Sequence, residues 1–141
     1  MKTAISCREA ELGDYAAISA VRLAVTENRL SDPSKVTHAD YIEYLTETGK
    51  GWVAEDAGRI AGFSIVNRSG LIWALFLQPG YEGRGIGKDL LARCLEWLKH
   101  IGVPRAFLDT DAGTRAELFY RRQGWREVSR NGTKLDFEID L

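Results

Sequence analysis

Apolar and polar positions along this chain change period every few residues and divide it into short elements. Residues 4–8 alternate weakly and predict a first strand, closed by the turn Glu11-Leu12-Gly13-Asp14, where Asp14 is placed to cap the next helix. From Tyr15 to residue 28 the apolar positions Ile18, Val21, Leu23 and Val25 form a helical stripe, and Ser31-Asp32-Pro33-Ser34 breaks it. A second helix is expected over residues 38–48, with Thr37 as its cap, Asp40 echoing a capping box, and Gly49 and Gly51 ending it. Strands over residues 52–55, 59–66 and 71–77 follow. The separators Asp56-Ala57-Gly58-Arg59 and Asn67-Arg68-Ser69-Gly70 suit hairpins, so the three should run antiparallel. Ile86, Leu90, Leu91, Cys94, Leu95 and Leu98 mark one face of a long helix that Gly102 and Pro104 terminate. A strand over residues 106–109, parallel to the one before the helix, comes next, because a helical crossover separates the two. A short helix over residues 114–123 stops at Gly124, and a last hairpin, 125–128 with 134–141, turns around Asn131-Gly132.

At 141 residues the chain is the size of one domain. Its 19 basic and 20 acidic side chains nearly cancel, which argues against a nucleic-acid partner. No apolar run approaches a membrane span and the start lacks a signal-peptide stretch, so no membrane association and a cytoplasmic location are expected. Cys7 and Cys94 lie far apart without metal-ligand spacing, and we expect two reduced, buried thiols and no metal.

The segment richest in chemistry is Gln78-Pro79-Gly80-Tyr81-Glu82-Gly83-Arg84-Gly85-Ile86-Gly87-Lys88, which leaves an apolar strand and enters the long helix. Alternating glycines let backbone N–H groups close on an anion at a helix N-terminus, and Arg84 and Lys88 add positive charge. A Walker loop does not fit, because only three residues separate Gly83 from the Gly87-Lys88 pair and Asp89 follows. A dinucleotide fingerprint does not fit either, since Gly83, Gly85 and Gly87 are evenly spaced.

The six residues Glu82-Gly83-Arg84-Gly85-Ile86-Gly87 resemble the pyrophosphate-binding turn Arg/Gln-x-x-Gly-x-Gly/Ala of the GCN5-related N-acetyltransferases (GNAT), with Glu82 as the departure. We expect its carboxylate to turn outward and leave only its backbone in the site. A second resemblance follows: Gly113-Thr114-Arg115-Ala116-Glu117-Leu118-Phe119-Tyr120 and Gly124-Trp125 are similar to the family's Asn-x-x-Ala-x-x-x-Tyr and Gly-Phe, with Gly113 in the Asn position. The contact of that Asn to the pantetheine arm is then lost, or supplied by backbone or by Thr114. The element order β-α-α-β-β-β-α-β-α-β-β is also that of the family, which implies an α/β GNAT fold with a mixed, mostly antiparallel central sheet flanked by helices.

The resemblance further implies acetyl transfer from acetyl-CoA to a primary amine, on a small molecule or a peptide, by direct attack in a ternary complex. Leu75, Phe76 and Leu77 correspond to the strand segment whose free backbone pairs with pantetheine, and one of its N–H groups would polarise the thioester carbonyl. Glu82, Gly83, Arg84, Gly85, Ile86, Gly87 and Lys88 would hold the pyrophosphate. Tyr120 corresponds to the acid that protonates the leaving sulfur, and a phenol pKa of roughly 10 keeps it protonated at neutral pH. The strand over residues 71–77 carries no ionisable side chain, so Glu27, Asp109, Asp111 or solvent is left as the base. Cys94, on the apolar helix face, reads as core rather than nucleophile. Arg121, Arg122 and His38 read as solvated side chains, with the CoA 3′-phosphate as the other use of the two arginines. Trp52 and Trp73 are either core or lining of an acceptor pocket. Glu27, Asn28, Asp32 and Tyr41 lie where relatives wall the acceptor. Relatives are often homodimers. Two other readings stay open: an acyl-CoA-binding module without catalysis, and a nucleotide-binding protein that uses the glycine turn for ATP.

Overall fold

A computed structural model describes residues 5–24 and 38–141. It contains β1 (Ile5–Glu9), α1 (Tyr15–Ala24), α2 (His38–Glu43), β2 (Gly49–Asp56), β3 (Arg59–Asn67) and β4 (Ile72–Leu77). Then come α3 (Ile86–His100), β5 (Arg105–Asp111), α4 (Arg115–Arg122), β6 (Arg126–Asn131) and β7 (Lys134–Asp140), in the expected order. The breaker at 31–34, the cap Thr37 and the extension of the first helix past Ala24 lie outside the described residues.

Three local expectations change. Gly49 ends the helical segment as expected, as the C-cap of Tyr44–Thr48, and is also the first residue of β2, whereas Gly51 does not end a helix but lies inside β2. A Cβ on Gly49 would stand 1.9 Å from the Val66 carbonyl oxygen, and one on Gly51 2.9 Å from Leu45, so these glycines are where neighbouring backbone and helix press against the strand. A widened π-type turn, Tyr44–Thr48, takes up the chain between α2 and that strand. Asp14 does not cap α1 from outside; its carboxylate reaches back to accept the Glu11 N–H at 2.8 Å within the 3₁₀ turn Leu12–Asp14.

β1-β2-β3-β4 form one antiparallel sheet and β5-β7-β6 a second. The two meet at one parallel bridge, Leu71 with Phe107, where the Phe107 N–H donates to the Gly70 carbonyl at 2.9 Å. The bridge has the parallel direction expected for β5 against β4, and the pairing between them is confined to that one pair. The β3–β4 register slips between Ile65 and Val66, leaving Trp73 as an extra residue on β4, and a bulge of this kind adds twist that turns the strand away. Gly70 makes the bridge possible. Its φ is 109°, and a Cβ there would lie 2.4 Å from the Arg105 carbonyl oxygen.

The apolar stripe of α3 packs across both sheets. Leu90, Leu91, Cys94 and Leu98 share a core with Trp52, Ala54, Val66 and Ile72 of the first sheet and with Ala106, Leu108, Leu135 and Phe137 of the second. On the opposite face of the first sheet, Ile18 and Val21 of α1 cover Val53, Phe63 and Ile65. The alternation of strand side chains sends Val53 one way and Trp52 and Ala54 the other, so β2 is buried on both faces.

β1 is fastened by Arg8, whose Nη1 and Nη2 each donate to Asp14 at 2.9 Å while its Nε donates to Glu55 on β2. The Arg8 hydrogen bonds hold the Asp14 carboxyl below its ordinary 3.8, against the opposing effect of burial. A depressed folded pKa adds stability that is complete above the ordinary value and is lost as pH falls through the folded value. We therefore expect Asp14→Asn to lower stability at neutral pH and to flatten the acid limb below pH 3.8, read from urea midpoints across a pH series. A parallel limb in both proteins would refute this. Gly70→Ala forces an L-residue into a strained backbone region and against a carbonyl, and should cost about 2–4 kcal/mol. Amide exchange at Phe107 should rise further than at the centre of β2.

Candidate active site

Among the described residues β4 pairs along its length with β3 alone. The Gln78 N–H donates to the Ala61 carbonyl at 2.8 Å, which fixes the phase of the antiparallel β3–β4 ladder. With that phase, and Phe63 opposite Phe76, the backbone groups of Phe76 face β3, and those of Leu75 and Leu77 face the gap opposite β5. Of the three residues expected to offer backbone to a donor, Phe76 is thus corrected. Its N–H and C=O belong to the ladder, and its ring packs on Phe63 at 5.7 Å between centroids. Leu75 and Leu77 remain, two residues apart, with their polar groups on an open edge.

The gap runs toward the turn that leads into α3. Gly83 and Gly85 adopt φ of 78° and 83°, and no described atom lies within 4 Å of where a Cβ on either would stand, so the turn leaves room for a ligand against bare backbone. The first turn of α3 adds donors: its helical ladder starts with the Asp89 N–H to the Gly85 carbonyl at 3.1 Å, so the N–H groups of Ile86, Gly87 and Lys88 precede it at the positive end of a 15-residue helix. The side chain of Ile86 is buried in the core, whereas Lys88 is exposed. Arg84 lies over the Tyr81 ring at 5.0 Å, and the Tyr81 hydroxyl donates to Asp56 at 2.7 Å, which raises its pKa above the ordinary value.

Glu82 does not turn outward. Its Oε2 accepts the Gly80 N–H at 2.7 Å, and its Oε1 lies 3.4 Å from Nη1 of Arg115, the first residue of α4. Its own backbone N–H, then Gly80 and Arg115, hold this carboxyl below its ordinary range, with burial opposing. Arg115 occupies an unspecified position of the second motif, so sequence reasoning did not single it out. The readable signal was an acid in a turn that favours a base, with an arginine in the other motif able to answer it.

α4 starts at a fully committed cap. The Thr114 hydroxyl donates to the Asp111 carbonyl at 2.7 Å and accepts the Glu117 N–H at 3.3 Å; the Gly113 N–H donates to Glu117 Oε1 at 2.7 Å. The Thr114 hydroxyl proton and the Gly113 N–H are therefore both engaged within the cap, which leaves the hydroxyl one lone pair in place of the missing Asn amide. Phe119 approaches Gly87 closely enough that a Cβ there would stand 3.6 Å from its ring, which seats α4 against the start of α3. Tyr120 is 7% exposed, with Phe119 and Trp125 edge-on at 5.1 and 5.6 Å. Burial, followed by the charge of a Cys94 thiolate, moves its phenol pKa further up, so it carries its proton at neutral pH. The Trp125 Nε1 is buried with no hydrogen-bond partner among the described residues.

The remaining candidates separate. Cys94 is fully buried, and burial pushes its thiol up to about 12, which disqualifies it as a nucleophile. Cys7 is only partly buried; burial and Asp89, whose carboxylate accepts its S–H at 3.2 Å, take its thiol up to about 11. Trp52 is core, edge-on to Trp97, and Trp73 packs half-buried on the α1 side. Arg121 is held by Glu117 at 2.9 Å and Glu127 at 2.7 Å and lies over Phe137, while Arg122 is exposed. Asp109 and Asp111 share Lys134, at 3.7 and 3.4 Å. Glu27, Asn28 and Asp32, and the side chains of His38 and Tyr41, lie outside the described residues. Among the described residues no group of three or more His, Cys, Asp or Glu is placed to hold a metal.

Residues 17–125 match the model of the acetyltransferase (GNAT) family. An uncharacterised ycf52-like N-acetyltransferase of Prochlorococcus marinus is 41% identical over 54 residues, a segment covering 38% of this chain and 29% of that protein. Among solved structures, the PaiA N-acetyltransferase of Thermoplasma acidophilum, in complex with coenzyme A, is similar with a TM-score of 0.84 and 16% identity, covering 98% of this chain and 99% of that one. The ribosomal-protein-S18-alanine N-acetyltransferase of Escherichia coli is similar with a TM-score of 0.81 and 16% identity, covering 98% and 94%. At these identities the structural likenesses bear on the fold.

Proposed function

The chain belongs to the GNAT acetyltransferase family, and from that premise we propose that it moves an acetyl group from acetyl-CoA to a primary amine by direct attack in a ternary complex. The observation that carries this reading is the juxtaposition of an open strand edge at Leu75 and Leu77 with an unobstructed glycine turn at the start of α3. An extended arm ending in a pyrophosphate needs both, in that order.

Acetyl-CoA supplies an activated acyl group whose C–S bond breaks as the C–N bond to the amine forms. The backbone at Leu75 and Leu77 aligns the arm and offers an N–H to the carbonyl oxygen as it gains charge. The N–H groups of Gly83, Gly85, Ile86, Gly87 and Lys88 take the pyrophosphate, with Lys88 and Arg84 adding charge. Tyr120, whose burial keeps it protonated at neutral pH, gives its proton to the departing sulfur, while the amine releases a proton to solvent as its C–N bond forms and solvent returns one to Tyr120. Residues 1–141 work as one domain in this reading, in the cytoplasm, where the acyl donor is available. A small molecule or a peptide end serves as acceptor, and the fold analogy favours a homodimer. The committed Thr114 hydroxyl and Gly113 N–H favour one alternative, an acyl-CoA-binding module without turnover, because the arm then has fewer amide partners.

Acetyl-CoA should raise the melting temperature saturably and much more than ADP or ATP, with about 2.7 kcal/mol expected at a hundredfold excess over Kd. An amine panel assayed by thiol release should then give turnover that Tyr120→Phe lowers by about 10²- to 10⁴-fold with donor binding kept. Donor binding without turnover on any amine selects the module. Gly113→Asn suits the left-handed backbone at φ 77° and restores a side-chain amide, and we expect it to tighten acetyl-CoA binding by roughly 2- to 10-fold in calorimetry.

A further inference from the structure

We propose that Arg115 is a phosphate-binding cation of the donor site, held over the glycine turn by Glu82, so that the charge missing from the turn is returned to it from α4. The inference rests on the acetyl-CoA reading above. Glu82 places a carboxylate at the first position of an anion-binding turn, where a negative charge opposes the ligand. The structure answers it locally: the carboxylate folds back onto the Gly80 N–H at 2.7 Å and takes Arg115 Nη1 at 3.4 Å.

The placement of the arginine follows from helix geometry. Arg115 and Phe119 are one turn apart on the same face of α4, and Phe119 packs beside Gly87 in the first turn of α3. The guanidinium thereby reaches the turn from α4 at Glu82, with Nη1 3.4 Å from Oε1. Arg121 by contrast pairs with Glu117 and Glu127, neither of which belongs to the turn. The pair is also poorly explained as a stabilising one. With Arg115 67% and Glu82 33% exposed, solvent screens it, and such pairs contribute little to folding. A guanidinium has five donors in a planar fork, and a phosphate arriving at the turn competes for them with Glu82 and with the other contacts of Arg115.

The test measures Kd for acetyl-CoA and for S-acetylpantetheine, which lacks phosphates, by calorimetry at two salt concentrations. The proteins are wild type, Arg115→Ala, and Glu82→Arg combined with Arg115→Ala. Arg115→Ala should weaken acetyl-CoA binding about 5- to 20-fold and reduce its salt dependence, while S-acetylpantetheine changes less than about twofold. The double variant should return acetyl-CoA affinity to within about threefold of wild type, since it puts a cation at the first position of the turn. Unchanged acetyl-CoA binding by a folded Arg115→Ala protein overturns the proposal and leaves the acetyl-CoA reading standing. Equal loss of both ligands also overturns it, as does failure of the double variant to recover affinity at an unchanged melting temperature. A wild-type protein that does not bind acetyl-CoA overturns the functional reading and this inference together.

Discussion

The two sheets are joined through one bridged pair, Leu71 and Phe107, and then part. That geometry costs free energy unless something offsets it, because backbone N–H and C=O groups beside a core need partners. Two features sustain it. The bulge at Trp73 twists β4 away from β5, and α3 lays one continuous apolar stripe across both sheets, so burial on the far side holds together what hydrogen bonding on the near side does not. The opening at Leu75 and Leu77 is therefore a consequence of core packing, and α3 both fixes its width and supplies the donors at its end.

Electrostatics around the turn follow a related logic. The local anions and cations satisfy one another: Glu82 takes Gly80 and Arg115, Arg84 stacks on Tyr81, and Glu117 takes Gly113 and Arg121. Each of these contacts is exposed or half-exposed, so each is weak and exchangeable with water or a ligand. The turn is thus ordered by glycine backbone geometry and capping, with the formal charges arranged around it.

Much of the fold was legible because its signals are local. Helical and alternating periodicity, the turn pairs and the crossover gave the order of elements, and two motifs placed the glycine turn and Tyr120. What escaped depends on contacts between distant segments. Gly51 read as a helix stop because glycine gives the same signal whether it ends a helix or lets Leu45 press on a strand. The split between β4 and β5 was hidden because one residue of bulge does not alter an apolar run. Phe76 could not be distinguished from Leu75 and Leu77, since hydrogen-bond phase depends on the partner strand. Arg115 was overlooked because its meaning lies in Glu82, more than thirty residues earlier in the chain.

The open edge has a second face in time. Both sheets are built from strands close in sequence, whereas the bridge that defines the gap joins residues on either side of α3. Until α3 and the second sheet dock, β4 presents Ile-Trp-Ala-Leu-Phe-Leu as a bare apolar edge, the kind of strand that recruits another chain. A slot kept ready for an extended ligand is, during folding, an invitation to self-association, and the docking of α3 removes the apolar face of β4 from that exposure while the edge at Leu75 and Leu77 stays open.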